Sequence, residues 1–186
     1  MRYFFLSLLV PLFLFSARPD FKDGVALYNQ GAYWEALRVF AELAEEEIEL
    51  NPQQSASSYM RIRCYNKLGF NQRALMLARD YPASYPQSEY EDDIQFLLGE
   101  IYLDLGDPRE AAWYFAKSVG QSEDRKIRRE ALKYTESLVG TACEVNDLRA
   151  LASRSIDETG QLLALLVAQR FMAESMQGEA IDILFN

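Results

Sequence analysis

At 186 residues, 49% of them hydrophobic and 25% charged, the chain can bury a core and shows no compositional sign of disorder. Its formal net charge of −9 disfavours a phosphate-backbone partner, which needs a positive footprint. Having no histidine, it can build no histidine-based triad, general base or zinc site.

The first segment, "MRYFFLSLLVPLFLFSA", reads as a signal peptide over residues 1–17. Arg2 supplies a short positive region, and Tyr3 to Phe15 form a mostly apolar run. That run falls short of the roughly 20 residues that span a bilayer but suits a secretory leader. Ser16 and Ala17 are small residues beside a candidate cleavage point. No cysteine follows them directly, so nothing supports a lipoprotein-type acyl anchor. An uncleaved N-terminal anchor is the alternative reading. Export predicts a periplasmic location.

Residues 20–186 then read as helix pairs. The first pair turns within "NQGAYWEALRVF" at Gly31, and the second within "NKLGFNQRAL" at Gly69. The third is the clearest. Tyr90, Ile94, Leu97, Leu98, Ile101, Tyr102 and Leu105 recur at steps of three and four, marking one face of a helix. Ser88 with Glu91 has the form of a capping box, Gly106 supplies the stop, and Asp107–Pro108 with Glu110 open the next helix. Gly99 costs about 1 kcal/mol in mid-helix. Close approach of the second helix at Ala111 is expected to offset that cost.

These pairs share a register. The turn glycines Gly31, Gly69 and Gly106 lie 38 and 37 residues apart. Each is followed five residues later by alanine (Ala36, Ala74, Ala111) and preceded by four by Leu27, Tyr65 or Tyr102. Seven before stand Gly24, Ile62 and Gly99. Phe40, Ala78 and Phe115 lie in the second helices, and Pro52 and Pro86 follow two of them.

With this register the sequence resembles the tetratricopeptide repeat family, best over residues 21–119. The stretch "YPQSEYEDDIQFLLGEIYLDLGD" is similar to repeats of bacterial envelope proteins. Those include the outer-membrane assembly lipoprotein BamD, the Tol–Pal-associated division coordinator and the penicillin-binding-protein activators. The resemblance implies an all-α fold of antiparallel helix hairpins wound into a right-handed superhelix. It also implies a concave groove and a protein or peptide partner in envelope or cell-wall assembly, with outer-membrane association possible and membrane contact peripheral or absent. The lipoprotein members' acylated cysteine is missing here.

The rest of the chain, 124–186, is a degenerate continuation, making about five pairs in all. Ile127, Ala131, Tyr134 and Leu138 trace a stripe that Gly140 is expected to end, before a longer loop, "GTACEVN". Helix resumes from Val145 to Ser155, with Leu148, Leu151 and Ala152 apolar. The fifth pair opens after "DETG" with "QLLALLVAQRFMAESM", apolar on most faces, and its partner from Glu179 is short. Such a helix wants cover on both sides. Self-association through these last helices, or continuation into a further domain, would supply it. The second alternative makes the chain the N-terminal helical module of a larger periplasmic ligand-binding or activator protein.

No chemistry of catalysis emerges. "GVALYNQG" and "GEIYLDLG" lack the phosphate-cradling spacing and its lysine. The acidic runs "AEEEIE" and "EYEDD" and the basic "DRKIRRE" read as solvated helix surface. Cys64 and Cys143 read as free, buried thiols. The expectation is a non-enzymatic scaffold with no cofactor, no metal and no nucleic acid. Phe96, Glu100 and Leu103 lie off the core stripe of the third unit, matched by Tyr59, Arg63 and Asn66 in the second and by Val25 and Tyr28 in the first. The family resemblance places these positions in the groove, where Arg63 would pair with a partner's carboxylate. Trp34 and Trp113 read as packing between repeats.

Overall fold

The computed structural model describes residues 20–45 and 53–185. The leader reading, Pro52 and most of the "AEEEIE" run lie outside them. Among the described residues there are ten α-helices, one π-helical turn and no strand. They are α1 (Phe21–Asn29), α2 (Tyr33–Glu45), α3 (Gln54–Lys67), α4 (Asn71–Ser84), α5 (Glu91–Asp104) and α6 (Pro108–Gln121). After these come α7 (Arg125–Ser137), the π turn (Leu138–Ala142), α8 (Val145–Ala152), α9 (Glu158–Ala173) and α10 (Gln177–Phe185). From α1 to α7 each helix packs on its neighbours in the chain, and the short α1–α2, α3–α4 and α5–α6 turns make antiparallel hairpins.

The turns explain why these sequences fold as pairs. Gly31, Gly69 and Gly106 sit at φ of 79°, 78° and 76°, the left-handed region that closes a helix. In each, the N–H after the glycine donates back to the carbonyl of Leu27, Tyr65 or Tyr102 at 2.9–3.0 Å. Ser175 adopts the same conformation at φ 64°, and the Met176 N–H donates to the Phe171 carbonyl at 2.8 Å. It is a fourth copy of the turn, hidden from sequence inspection because serine replaces glycine. Ala36, Ala74, Ala111 and Ala180, five residues after the four turns, are all buried.

The mid-helix glycine has a different partner from the one expected. A Cβ on Gly99 would lie 2.7 Å from the Phe115 ring, and one on Gly24 would lie 2.7 Å from Phe40. Each phenylalanine ring therefore rests on bare backbone of the first helix. Phe21 and Phe96 then close on Phe40 and Phe115 from one side, with centroids 5.4 and 5.1 Å apart. In the second hairpin the sizes are exchanged: Ile62 replaces the glycine and Ala78 the phenylalanine, both buried. Volume is conserved across the pair while the large residue changes helix, the kind of exchange a close-packed core tolerates.

Three local expectations are corrected. Glu91 opens α5 without a Ser88 capping box: Tyr90 is the cap residue, and the Ser88 hydroxyl instead accepts from the Tyr90 N–H and meets the Tyr81 hydroxyl. Gly140 does not end the seventh helix. The chain runs on through the π turn to Ala142, and Arg170 of α9 donates from Nη1 to the carbonyls of Val139 and Cys143 at 2.7 and 2.8 Å. Those contacts satisfy carbonyls that the helix end leaves open. Finally α9 starts inside "DETG", with the Asp157 side chain accepting from the Gly160 N–H.

Cys64 and Cys143 are free and buried. Burial pushes their thiols up to about 12 and about 11.

Candidate protein-binding surface

The shared register sorts the first-helix side chains into three rows. Phe21, Tyr59 and Phe96 form one; Val25, Arg63 and Glu100 the next; Tyr28, Asn66 and Leu103 the third. Counting back from the Ser175 turn adds Leu165, Gln169 and Met172 of α9 to the same three rows. Leu165 and Met172 are 49% and 55% exposed, unusually open for large apolar residues on a packed helix. Sequence reading missed them because Ser175 gave no turn signal.

The predicted residues are brought together as two contact groups. The Arg63 guanidinium lies 4.9 Å from the Tyr28 ring centre and 5.7 Å from that of Tyr59, a cation between two aromatic faces. Tyr59 stacks on Tyr90 at 4.9 Å. Next to them the Asn66 amide donates to the Asp104 carboxylate at 2.8 Å, tying α3 to α5. Arg63 is thus already engaged by its own chain, which leaves it a poor clamp for an incoming carboxylate. Tyr28 is buried, and its hydroxyl makes no well-formed hydrogen bond.

The second group is apolar. Phe96 meets Phe115 edge-on and then Tyr134 of α7 at 6.1 Å, and Tyr134 stacks on Phe115 at 4.6 Å. Phe96 and Leu103 are half-buried against the core, so they are partly packing residues and only partly surface. Tyr134, on the apolar stripe of α7, is nonetheless 37% exposed.

Charge follows the same division. Burial raises the Glu100 carboxyl above its ordinary range, against the pull of Lys67 and Arg63. Asp93 is raised by burial too, with Arg63 opposing. Tyr28 and Tyr59 are raised by burial as well. The exposed "DRKIRRE" residues open α7 behind the Asp124 cap, as a solvated helix start should. Lys126, Arg129 and Lys133 line a shallow cavity of about 400 Å³ beside Tyr134.

Away from the rows, Trp34 is 59% exposed and meets Phe70 of the next hairpin edge-on at 5.4 Å. Trp113 lies under the Arg154 guanidinium at 4.3 Å, while Arg154 also pairs with Glu110. Trp113 is thus packed between units, and Trp34 only at one edge.

Among the described residues, no group of three or more histidine, cysteine or acidic side chains could hold a metal, and no helix is long and apolar enough to cross a membrane. No protein-family model, curated protein or solved structure matches the chain.

Proposed function

We propose that the chain is a non-enzymatic scaffold that binds a protein or peptide segment along the rows of its first helices. The carrying observation is the exposure of two large apolar residues, Leu165 and Met172, at the α9 positions that the register aligns with those rows. Side chains from α1, α3 and α5 touch one another in sequence, and α9 re-enters the register with Leu165 and Met172 open to solvent. Exposed large apolar residues on a packed helix are what an interacting segment needs as anchors. A stack of hairpins with its first helices on one side gives the extended inner surface of a repeat superhelix. The leader-like segment supports export, and with it a partner in the bacterial envelope.

Because Arg63 and Phe96 are engaged within the chain, Leu165 and Met172 are the sites that test this reading. Photo-crosslinking residues placed at these two positions in native cells should capture one common partner, whereas the same residue at exposed Arg38 of α2 should not. Leu165→Asp with Met172→Asp should abolish co-purification of that partner and leave the melting temperature nearly unchanged. Equal capture from Arg38, or capture indifferent to the double substitution, removes the surface.

A further inference from the structure

α7 is missing from the three rows, because its hairpin passes through the π turn and supplies no register. It nonetheless lies between the helices that carry them. On one side the Tyr134 ring meets Phe96 of α5 at 6.1 Å. On the other, Glu136 of α7 and Gln169 of α9 line one shallow hollow of about 440 Å³, and Arg170 of α9 reaches the carbonyls of the π turn. A segment that touches Phe96 and Leu103 at one end and Leu165 and Met172 at the other must therefore cross α7. The surface of α7 sets the chemistry of that crossing.

That surface is positive. Arg125, Lys126, Arg128, Arg129 and Lys133 are all exposed, and none makes an ion pair among the described residues. All but Lys133 crowd the start of the helix, where the dipole favours anions instead. Arg129 also stands three residues from Lys126 and four from Arg125 and Lys133, spacings at which like charges repel. The fold does not call for this arrangement: α7 packs through Ala131 and Thr135, and no cation takes part. A local preference broken without a gain inside the fold marks a surface with another use. Lys126, Arg129 and Lys133 line the hollow beside Tyr134, with Glu130 as the single acid of that lining. The acids of α5 are engaged elsewhere: Asp93 and Glu100 are half-buried and feel Arg63, and Asp104 accepts from Asn66. The whole chain, at −9, repels an extended anionic surface such as a membrane or a nucleic acid. A short acidic segment instead feels mainly the charges within about 8 Å of it.

We infer that the protein segment held along the rows is acidic where it crosses α7, with aspartate or glutamate side chains set against Lys126, Arg129 and Lys133 and apolar ones to either side. This rests on the binding rows proposed above and adds the charge of the partner to them. The test is fluorescence anisotropy of the full chain with two labelled synthetic peptides. One has leucines spaced three and four apart with glutamates between them, and the other has lysines in place of the glutamates. The acidic peptide should bind at least about tenfold tighter, and the triple variant Lys126→Glu, Arg129→Glu and Lys133→Glu should reverse that preference without changing the helical circular-dichroism signal. Leu165→Ser with Met172→Ser separates this inference from the reading beneath it. Acidic-peptide binding that survives the two serines but not the three glutamates removes the α9 anchors and keeps the acidic crossing. Binding lost with the serines yet indifferent to the glutamates overturns the crossing and keeps the anchors. No binding of the acidic peptide, equal or tighter binding of the lysine peptide, or recruitment to phosphatidylglycerol vesicles in preference to the peptide would each overturn the inference.

Discussion

The stretch from α1 to α6 and the stretch from α7 to α10 are both helical, yet they hold their helices together by different means. In the first, every hairpin uses the same turn, the same buried alanine five residues on, and a matched large–small pair across the two helices. In the second only the Ser175 turn, with its buried Ala180, keeps the rule. α7 runs on into a π turn, α8 has only eight residues, and α9 packs partly on α6. Arg170 substitutes for a proper helix end by capping two carbonyls. A cavity of about 840 Å³ opens between the α8–α9 connection and α10, and Ile156 at its edge is 96% exposed. The lesson is that regularity here is a packing device. Large apolar residues are exposed in both stretches, Trp34, Phe70 and Met76 in the first and a greater number in the second.

The sharpest way to break the comparison is to move the size match. Phe115→Ala should destabilise the chain by about 3–5 kcal/mol, since a fully buried ring is removed. Gly99→Ile should also be strongly destabilising, because its side chain must enter space that the Phe115 ring fills. The two together recreate the Ile62–Ala78 arrangement and should recover about 2 kcal/mol relative to the sum of the singles. Urea unfolding of the four proteins gives this coupling. A strictly additive pair would mean that the two hairpin types do not share one packing rule.

The two thiols offer a milder probe, since one lies in each stretch. Both are buried and held protonated, so each reacts only when its surroundings open. Repeat stacks open by neighbouring units. Cys143, beside the π turn, should therefore label roughly tenfold faster than Cys64 in native buffer, about 1.4 kcal/mol in opening free energy. Mass spectrometry of a thiol-reagent time course reads both rates at once. Equal rates would show that the whole chain opens as one unit and that the irregular stretch is no weaker.

The smallest effect tests the hidden fourth turn. Ser175 holds a left-handed conformation that costs a side-chain-bearing residue roughly 1 kcal/mol, and glycine removes that cost. Ser175→Gly should stabilise the chain by about 0.5–1 kcal/mol, with Cys143 labelling correspondingly slowed. Destabilisation would mean that the serine side chain has a role of its own in the turn.

How far the sequence could be read follows from the same contrast. In α1–α6 the turn glycines, the Asp107–Pro108 start and the apolar steps of three and four each carry a local physical cause, so the hairpins and their register are legible in the sequence, while the start of α5 is not. Gly99 was recognised as a close-approach site, but its partner was not. Spacing pointed to Ala111 as the facing residue, whereas a ring reaching over from Phe115 is a three-dimensional fact. In α7–α10 the local signals mislead. Gly140 has the appearance of a stop, yet a π turn passes through it. Ser175 has no such appearance, yet it closes a hairpin. Losing that turn lost the alignment of α9 with α5, and with it Leu165 and Met172. Among the candidate groove residues, Arg63 and Asn66 are held by Tyr28, Tyr59 and Asp104, which no one-dimensional pattern records.

The exchange of bulk between Gly24–Phe40 and Ile62–Ala78 also constrains how such a gene can be rearranged. Joining α1 to α4 would set Gly24 opposite Ala78 and leave a hole, and joining α3 to α6 would force Ile62 into Phe115. A crossover between hairpins keeps both halves of each match, whereas one within a hairpin that mixes the second pair with the first or third spoils two. Duplication and shuffling of the second hairpin can therefore act safely only on the whole pair, and there the inherited module is the couple of helices, not the single one.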